Sequence, residues 1–171
     1  MQLSKNFTLW DLCSCTSTYR RYAATINPFP ENPESIEALE NISQLILDPI
    51  QEAIAPIRIT YGFSSKNLIK YLNKKDPVTG IKNGRICPKI DQHASYELNC
   101  SGNYICKHQG AAVDIIANLS SSALVQWIMD KQLPYDSIYY YGDRRPLHVS
   151  WSVTPRKKIW RFSDRGTPKP Y

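Results

Sequence analysis

The sequence predicts an α+β domain built on a largely antiparallel sheet, and three observations carry that prediction. A long stretch around residue 40 repeats its apolar residues at helical spacing. The runs after it alternate between short β-branched segments and helical ones, and the last third holds strand-like runs joined by turns too short for helical crossovers. At 171 residues, 42% hydrophobic and 21% charged, the chain reads as one domain with enough length to bury a core.

The first 33 residues read as irregular, with a turn of helix at FTLWDL and a stiff connector at PFPENP (28–33). The next segment, PESIEALENISQLILDPIQEAIA (33–55), places Ile36, Leu39, Ile42, Leu45, Ile46, Ile50 and Ile54 on one helical stripe. Asn32 or Ser35 is its N-cap, and Pro49, which has no amide hydrogen for the helical ladder, is expected to kink or divide it. IRITYGF (57–63) is β-branched and interrupted by glycine, a buried strand, and KNLIKYLNKK (66–75) is a short helix. From 76 to 105 the chain is polar and rich in turn residues, longer than an ordinary connection, as functional loops often are. AAVDII (111–116) then reads as a strand and SSALVQWIMDK (121–131) as a helix capped by Ser120 or Ser121. DSIYYYG and LHVSWS are strands joined by the turn GDRRP, and KIWRF (158–162) is a last strand of the same meander.

Composition limits the function. No stretch approaches the roughly 18 apolar residues of a membrane span, and the N-terminal residues lack the apolar core of a secretory signal, so cytoplasmic synthesis is expected. Five cysteines, an odd number, argue against a complete disulfide framework. The net charge is +6, and the segment 152–171 concentrates Arg156, Lys157, Lys158, Arg161, Arg165 and Lys169 against Asp164. Such a patch suits an anionic partner such as nucleic acid or an acidic polymer, or it is a solvated tail.

The chemistry-bearing residues are the three histidines, His93, His108 and His148, each beside a strand-like or turn segment, together with Asp114. Two imidazoles and one carboxylate form a zinc site that keeps a fourth position for water, which is how many hydrolases generate hydroxide near neutral pH. Alternate side chains of a strand share a face, so ligands on neighbouring strands are held rigidly. Cys87, Cys100, Cys106 and His108 have the residue types of a closed structural zinc site. Their spacing is not that of a zinc knuckle, and Cys87 and Cys106 read first as small buried side chains.

SKNFTLWDL, ITYGF, the histidine loop, GAAVDI and LHVS, taken together over 3–151, resemble the zinc peptidases of the D-alanyl-D-alanine carboxypeptidase and hedgehog fold group. In that family the pattern SxHxxGxAxD supplies a histidine and an aspartate, and a later HVS or HIS strand supplies the second histidine. The resemblance therefore implies Asp114 and His148 as ligands of one zinc ion. The first histidine should lie three residues before the glycine, where this chain has Lys107, and His108 is one position out of register. DQH (91–93) resembles the family's SQH opening if 94–109 is an insertion, which makes His93 the preferred first ligand and His108 the alternative.

The resemblance further implies a hydrolase acting on peptidoglycan-type peptides, reached by a route such as that of phage lysins. The acid or histidine that the family places shortly before the last histidine has Asp143 as its candidate here, a proton shuttle or else a turn aspartate holding its own loop. Tyr141 or Arg145 would stabilise developing negative charge. The family's usual SGYRS is replaced by ITYGFSS, so Ser64 stands in for the substrate-holding arginine, and Arg144 or Arg145 would supply that charge from the opposite rim. The other reading is a zinc-stabilised module that has lost peptidase chemistry and holds an anionic partner through its basic tail.

Overall fold

The computed structural model describes residues 1–22, 24–84, 89–163 and 166–171, and shows six strands in one sheet, one face of which packs against helices. The strands are β1 (Arg58–Tyr61), β2 (Ala111–Ile116), β3 (Ser137–Tyr140), β4 (Leu147–Trp151), β5 (Lys158–Phe162) and β6 (Pro168–Pro170), in the order β1-β2-β4-β3-β5-β6. Every neighbouring pair is antiparallel except β3 and β5, which run parallel. That exception departs from the expected meander, and its cause is local. Trp151 ends β4 at the same end of the sheet where Ser137 begins β3, and the short connection 152–157 stays at that end. Asp136 holds it there, accepting hydrogen bonds from the Arg156 amide (2.7 Å) and Ser152 Oγ (3.3 Å), while the Lys158 amide donates to the Asp136 carbonyl (3.0 Å).

The helical segment of 33–55 is divided as Pro49 requires. Helix α3 (Pro33–Ile42) is capped by Asn32, whose side chain accepts from the Glu34 amide, and a π-helical turn, Ser43–Leu47, separates it from α4 (Asp48–Ile54), where Pro49 occupies the first turn. Proline is tolerated at a helix start because the amide it lacks has no intrahelical partner there. Ser35, the other candidate cap, is instead buried and donates to Glu97 Oε1 at 2.9 Å. Helices α5 (Lys66–Asn73) and α6 (Ser121–Asp130) stand where the periodicity placed them, capped by Ser65 and Ser120.

At the two ends of the chain, the helical turn expected at FTLWDL and the strand expected at KIWRF are present, and more of each end is ordered than the sequence offered. The first 33 residues contain α1 (Leu9–Cys13), closed by a Thr8–Asp11 capping box, and α2 (Ser17–Tyr22), and they supply Leu3, Phe7, Leu12 and Cys13 to the main core. Residues 4–6 wrap the buried Asp48 carboxylate, which accepts from Ser4 Oγ and the Lys5 and Asn6 amides. Nor is 152–171 a solvated tail. Arg156 pairs with the buried Asp136, Lys157 Nζ donates to the Leu133 carbonyl, and β5 and β6 extend the sheet. Arg165 and Asp164 lie outside the described residues.

The sheet's two faces differ sharply. Val113, Ile115, Ile138, Leu147 and Val149 point toward α3, the π turn and α6 and are fully buried. The residues between them point the other way, and Asp114 lies directly opposite His148, which lies directly opposite Tyr139. Among the described residues no helix is long and apolar enough to cross a membrane.

Candidate metal centre

Three segments bring three side chains to one point on the open face of the sheet. Asp114 comes from the middle of β2 and His148 from β4, both fixed by the antiparallel register. His93 comes from a 3-10 turn, Gln92–Ala94, lying over that face. His93, Asp114 and His148 each offer a ligand atom within 4.8 Å of the others, and no second group of this kind occurs among the described residues.

The 3-10 turn has little apolar content and is held by polar bonds. The Ser64 amide donates to the His93 carbonyl (2.8 Å), Ser95 Oγ donates to the Gly110 carbonyl (2.5 Å), and Gln92 Nε2 reaches the Trp151 carbonyl (3.5 Å). Downstream, the buried Glu97 carboxylate accepts from the Glu31 and Asn32 amides. Two glycines allow the close approaches. A Cβ on Gly62 would lie 2.1 Å from the Leu12 carbonyl oxygen, and one on Gly110, whose φ is +142°, would lie 2.0 Å from that of Trp151.

His93 Nδ1 lies 2.8 Å from the Gly62 carbonyl and donates to it, since a carbonyl can only accept. That bond leaves Nε2, 3.4 Å from Asp114 Oδ1, as the nitrogen that carries the second proton or binds an ion. His148 Nδ1 is 2.9 Å from the same oxygen. Zinc bonds of about 2.0–2.1 Å at tetrahedral angles set ligand atoms roughly 3.3 Å apart, so the spacing suits an ion. His148 Nε2, the ring nitrogen not bonded to Asp114, is buried without a protein hydrogen-bond partner. The group fits a metal ion.

Electrostatics agree. Burial opposes a charge on His93, but the Asp114 carboxylate outweighs it, with help from Asp91 and the Gly62 carbonyl, and lifts the imidazole to about 9. Burial likewise works against the Asp114 anion, yet His93 and His148 hold it well below the usual carboxylate range. In the metal-free chain the carboxylate thus holds a proton on His93 that a cation would displace.

A β-bulge supplies the neighbouring tyrosine. Ile59 opposes Ile115 on the core face, and plain alternation would put Tyr61 on that face too. The register slips between Ile59 and Tyr61, so Tyr61 opposes Asp114 instead and turns into the cleft. Its ring meets His93 edge-on at 4.6 Å, and its hydroxyl is 2.8 Å from Ser64 Oγ. Tyr139 stacks on His148, with centroids 4.3 Å apart and planes 9° from parallel. These rings and the ligands line a cleft of about 790 Å³, whose wall also carries Asp91, Lys82 and Tyr141.

The other sequence candidates fall in several places. Tyr141 lines the cleft, and Arg145, which is not one of the lining residues, lies 5.8 Å over its ring. Asp143 does not join them. Its carboxylate accepts from the Ser122 amide (3.0 Å) and the Tyr140 hydroxyl (3.0 Å), which hold it below its ordinary pKa and tie the β3–β4 turn to the start of α6. His108 is on another surface, near Asp136 and Arg156, where partial burial and the Arg156 charge lower its pKa. Cys106 is buried and donates to the His108 carbonyl, Cys100 is exposed, and Cys87 lies outside the described residues, so no cysteine-rich metal group forms among those described. Sequence reasoning missed Tyr61, Tyr139 and Asp91 as cleft residues. The first turns inward only through the bulge, the second is placed by the strand pairing that sets it against His148, and only Asp91, two residues before His93, left a readable signal.

Compared with protein-family models, curated proteins and solved structures, the chain finds no match in any of the three, so the His93–Asp114–His148 centre rests on its own geometry.

Proposed function

We propose that this chain is a zinc-dependent hydrolase that cleaves peptide bonds, of the kind found in peptidoglycan stem peptides. The observation that supports it best is the convergence of two imidazoles and one carboxylate at the floor of a cleft large enough for a peptide segment. The mixed nitrogen and oxygen donor set favours zinc over calcium or magnesium, which take oxygen ligands. His93, Asp114 and His148 would hold the ion, which when bound supplies Lewis acidity toward a carbonyl and a lowered pKa for water.

The chain's own groups do the rest. The Gly62 carbonyl keeps His93 Nε2 turned toward Asp114, and Tyr139 fixes the plane of His148 by stacking. The Tyr61 hydroxyl is on the cleft wall, placed to donate to a substrate oxygen as charge develops there. Asp91 is the cleft carboxylate outside the ligand set and takes the proton-transfer role for which the sequence offered Asp143. Arg145, over the Tyr141 ring, gives a positive charge for a substrate carboxylate.

Zinc-loaded protein is expected to cleave a peptide, tested with a stem peptide ending in D-alanyl-D-alanine and with peptides carrying larger side chains beside the scissile bond, and to lose that activity with chelator and in Asp114→Ala. A zinc-loaded protein that cuts no peptide would instead favour the binding module. That second reading draws on Arg161 and Lys169, which pair across β5 and β6 on an exposed surface. Its sign would be nucleic-acid affinity that falls steeply with salt.

A further inference from the structure

The wall of the cleft beyond the ligands is unusually apolar for a site that meets water. Ile81 and Ile90 line the cleft and are 69% and 53% exposed. Tyr141 and Phe162 line it as well, their rings tilted together with centroids 4.9 Å apart, and Phe162 also meets Tyr139 edge-on at 5.5 Å. Phe162 reaches the cleft because β5 runs parallel to β3, which puts Trp160 opposite Tyr139 and so turns Trp160 and Phe162 to the open face. Beyond the metal ligands the cleft is thus a trough lined by aromatic rings and isoleucines.

Resting on the metallohydrolase reading, we infer that the site takes a peptide with a bulky apolar side chain, aromatic by preference, next to the bond presented to the metal. A D-alanyl-D-alanine terminus brings only methyl groups and would leave the trough largely unfilled. A phenyl or large aliphatic group packs against this apolar lining and removes the exposed isoleucines from water.

Two hydroxamates separate this inference from the reading beneath it, since both carry the same metal-binding head. Binding of acetohydroxamate and of 3-phenylpropionohydroxamate to zinc-loaded protein would be measured by calorimetry. The phenyl compound is expected to bind about tenfold tighter or better, as burial of one aromatic group predicts. In Phe162→Ala, and separately in Ile90→Ala, an exposed position whose change leaves the core intact, the ratio between the two compounds should shrink toward one. Equal affinities in the wild type, or a preference that survives both substitutions, would overturn the apolar trough while leaving the metal centre standing. Binding of neither compound would remove the metal centre and the inference with it.

Discussion

Asp114 and Ile115 are neighbours on one strand, yet they belong to different halves of the molecule. Ile115 is fully buried among the helices, while Asp114 turns to the other face and meets two histidines. The helix-covered face is stabilised by shape and burial, which tolerate no polar group without a partner. The cleft face carries buried polar groups, each needing a named partner, and one of them, His148 Nε2, has none from the protein. The comparison teaches that one face provides the rigidity by which the other holds its ligand atoms in place.

Substituting the two neighbours is the strongest way to break that division. Asp114→Ala should lower zinc affinity by more than the roughly 10–100-fold that losing an outer partner of a ligand costs, with the metal-free fold retained by circular dichroism. Ile115→Ala should do the reverse, costing about 2–5 kcal/mol in urea unfolding while the folded fraction binds zinc normally. If Asp114→Ala unfolds the chain, or Ile115→Ala abolishes metal binding in folded protein, the two faces are not separate.

Acidity gives a subtler test. His93 rises from an ordinary 6.5 to about 9 in the metal-free fold, so the folded state binds more protons than the unfolded one between those values. Its contribution to stability is complete below about pH 6.5 and is lost as pH climbs through 9. Metal-free protein should therefore weaken across that interval in urea titrations, whereas zinc affinity should rise over it, because the ion no longer has to displace a proton. A metal-free stability that stays flat across the interval would mean His93 is neutral beside Asp114.

Smaller effects sharpen the map. Asp143→Ala should lower thermal stability slightly by releasing the Ser122 amide at the start of α6, with zinc affinity unchanged. Should it change zinc affinity, the turn reaches the site after all.

Much of the sheet was legible because AAVDII and LHVSW combine β-branched residues with single polar ones, so the alternation itself marks Asp114 and His148 as facing away from the core. Helix boundaries followed from Asn32, Ser120 and Pro49, whose local chemistry acts without tertiary help. What escaped depends on contacts distant in sequence. The parallel placement of β5 rests on Asp136 gripping Arg156, β6 is a proline-flanked edge with no strand propensity, and Tyr61 turns inward only through a one-residue slip. The position of His93 rests on polar clamps from Gln92, Ser95 and Glu97, which look in sequence like ordinary loop residues.

The most direct test of the centre is elemental analysis of protein purified without chelators, comparing the wild type with His93→Ala and His108→Ala. One zinc per chain, lost with His93→Ala and kept with His108→Ala, is the predicted result. A metal-free wild type, or zinc that leaves with His108 rather than His93, would contradict a centre formed by His93, Asp114 and His148.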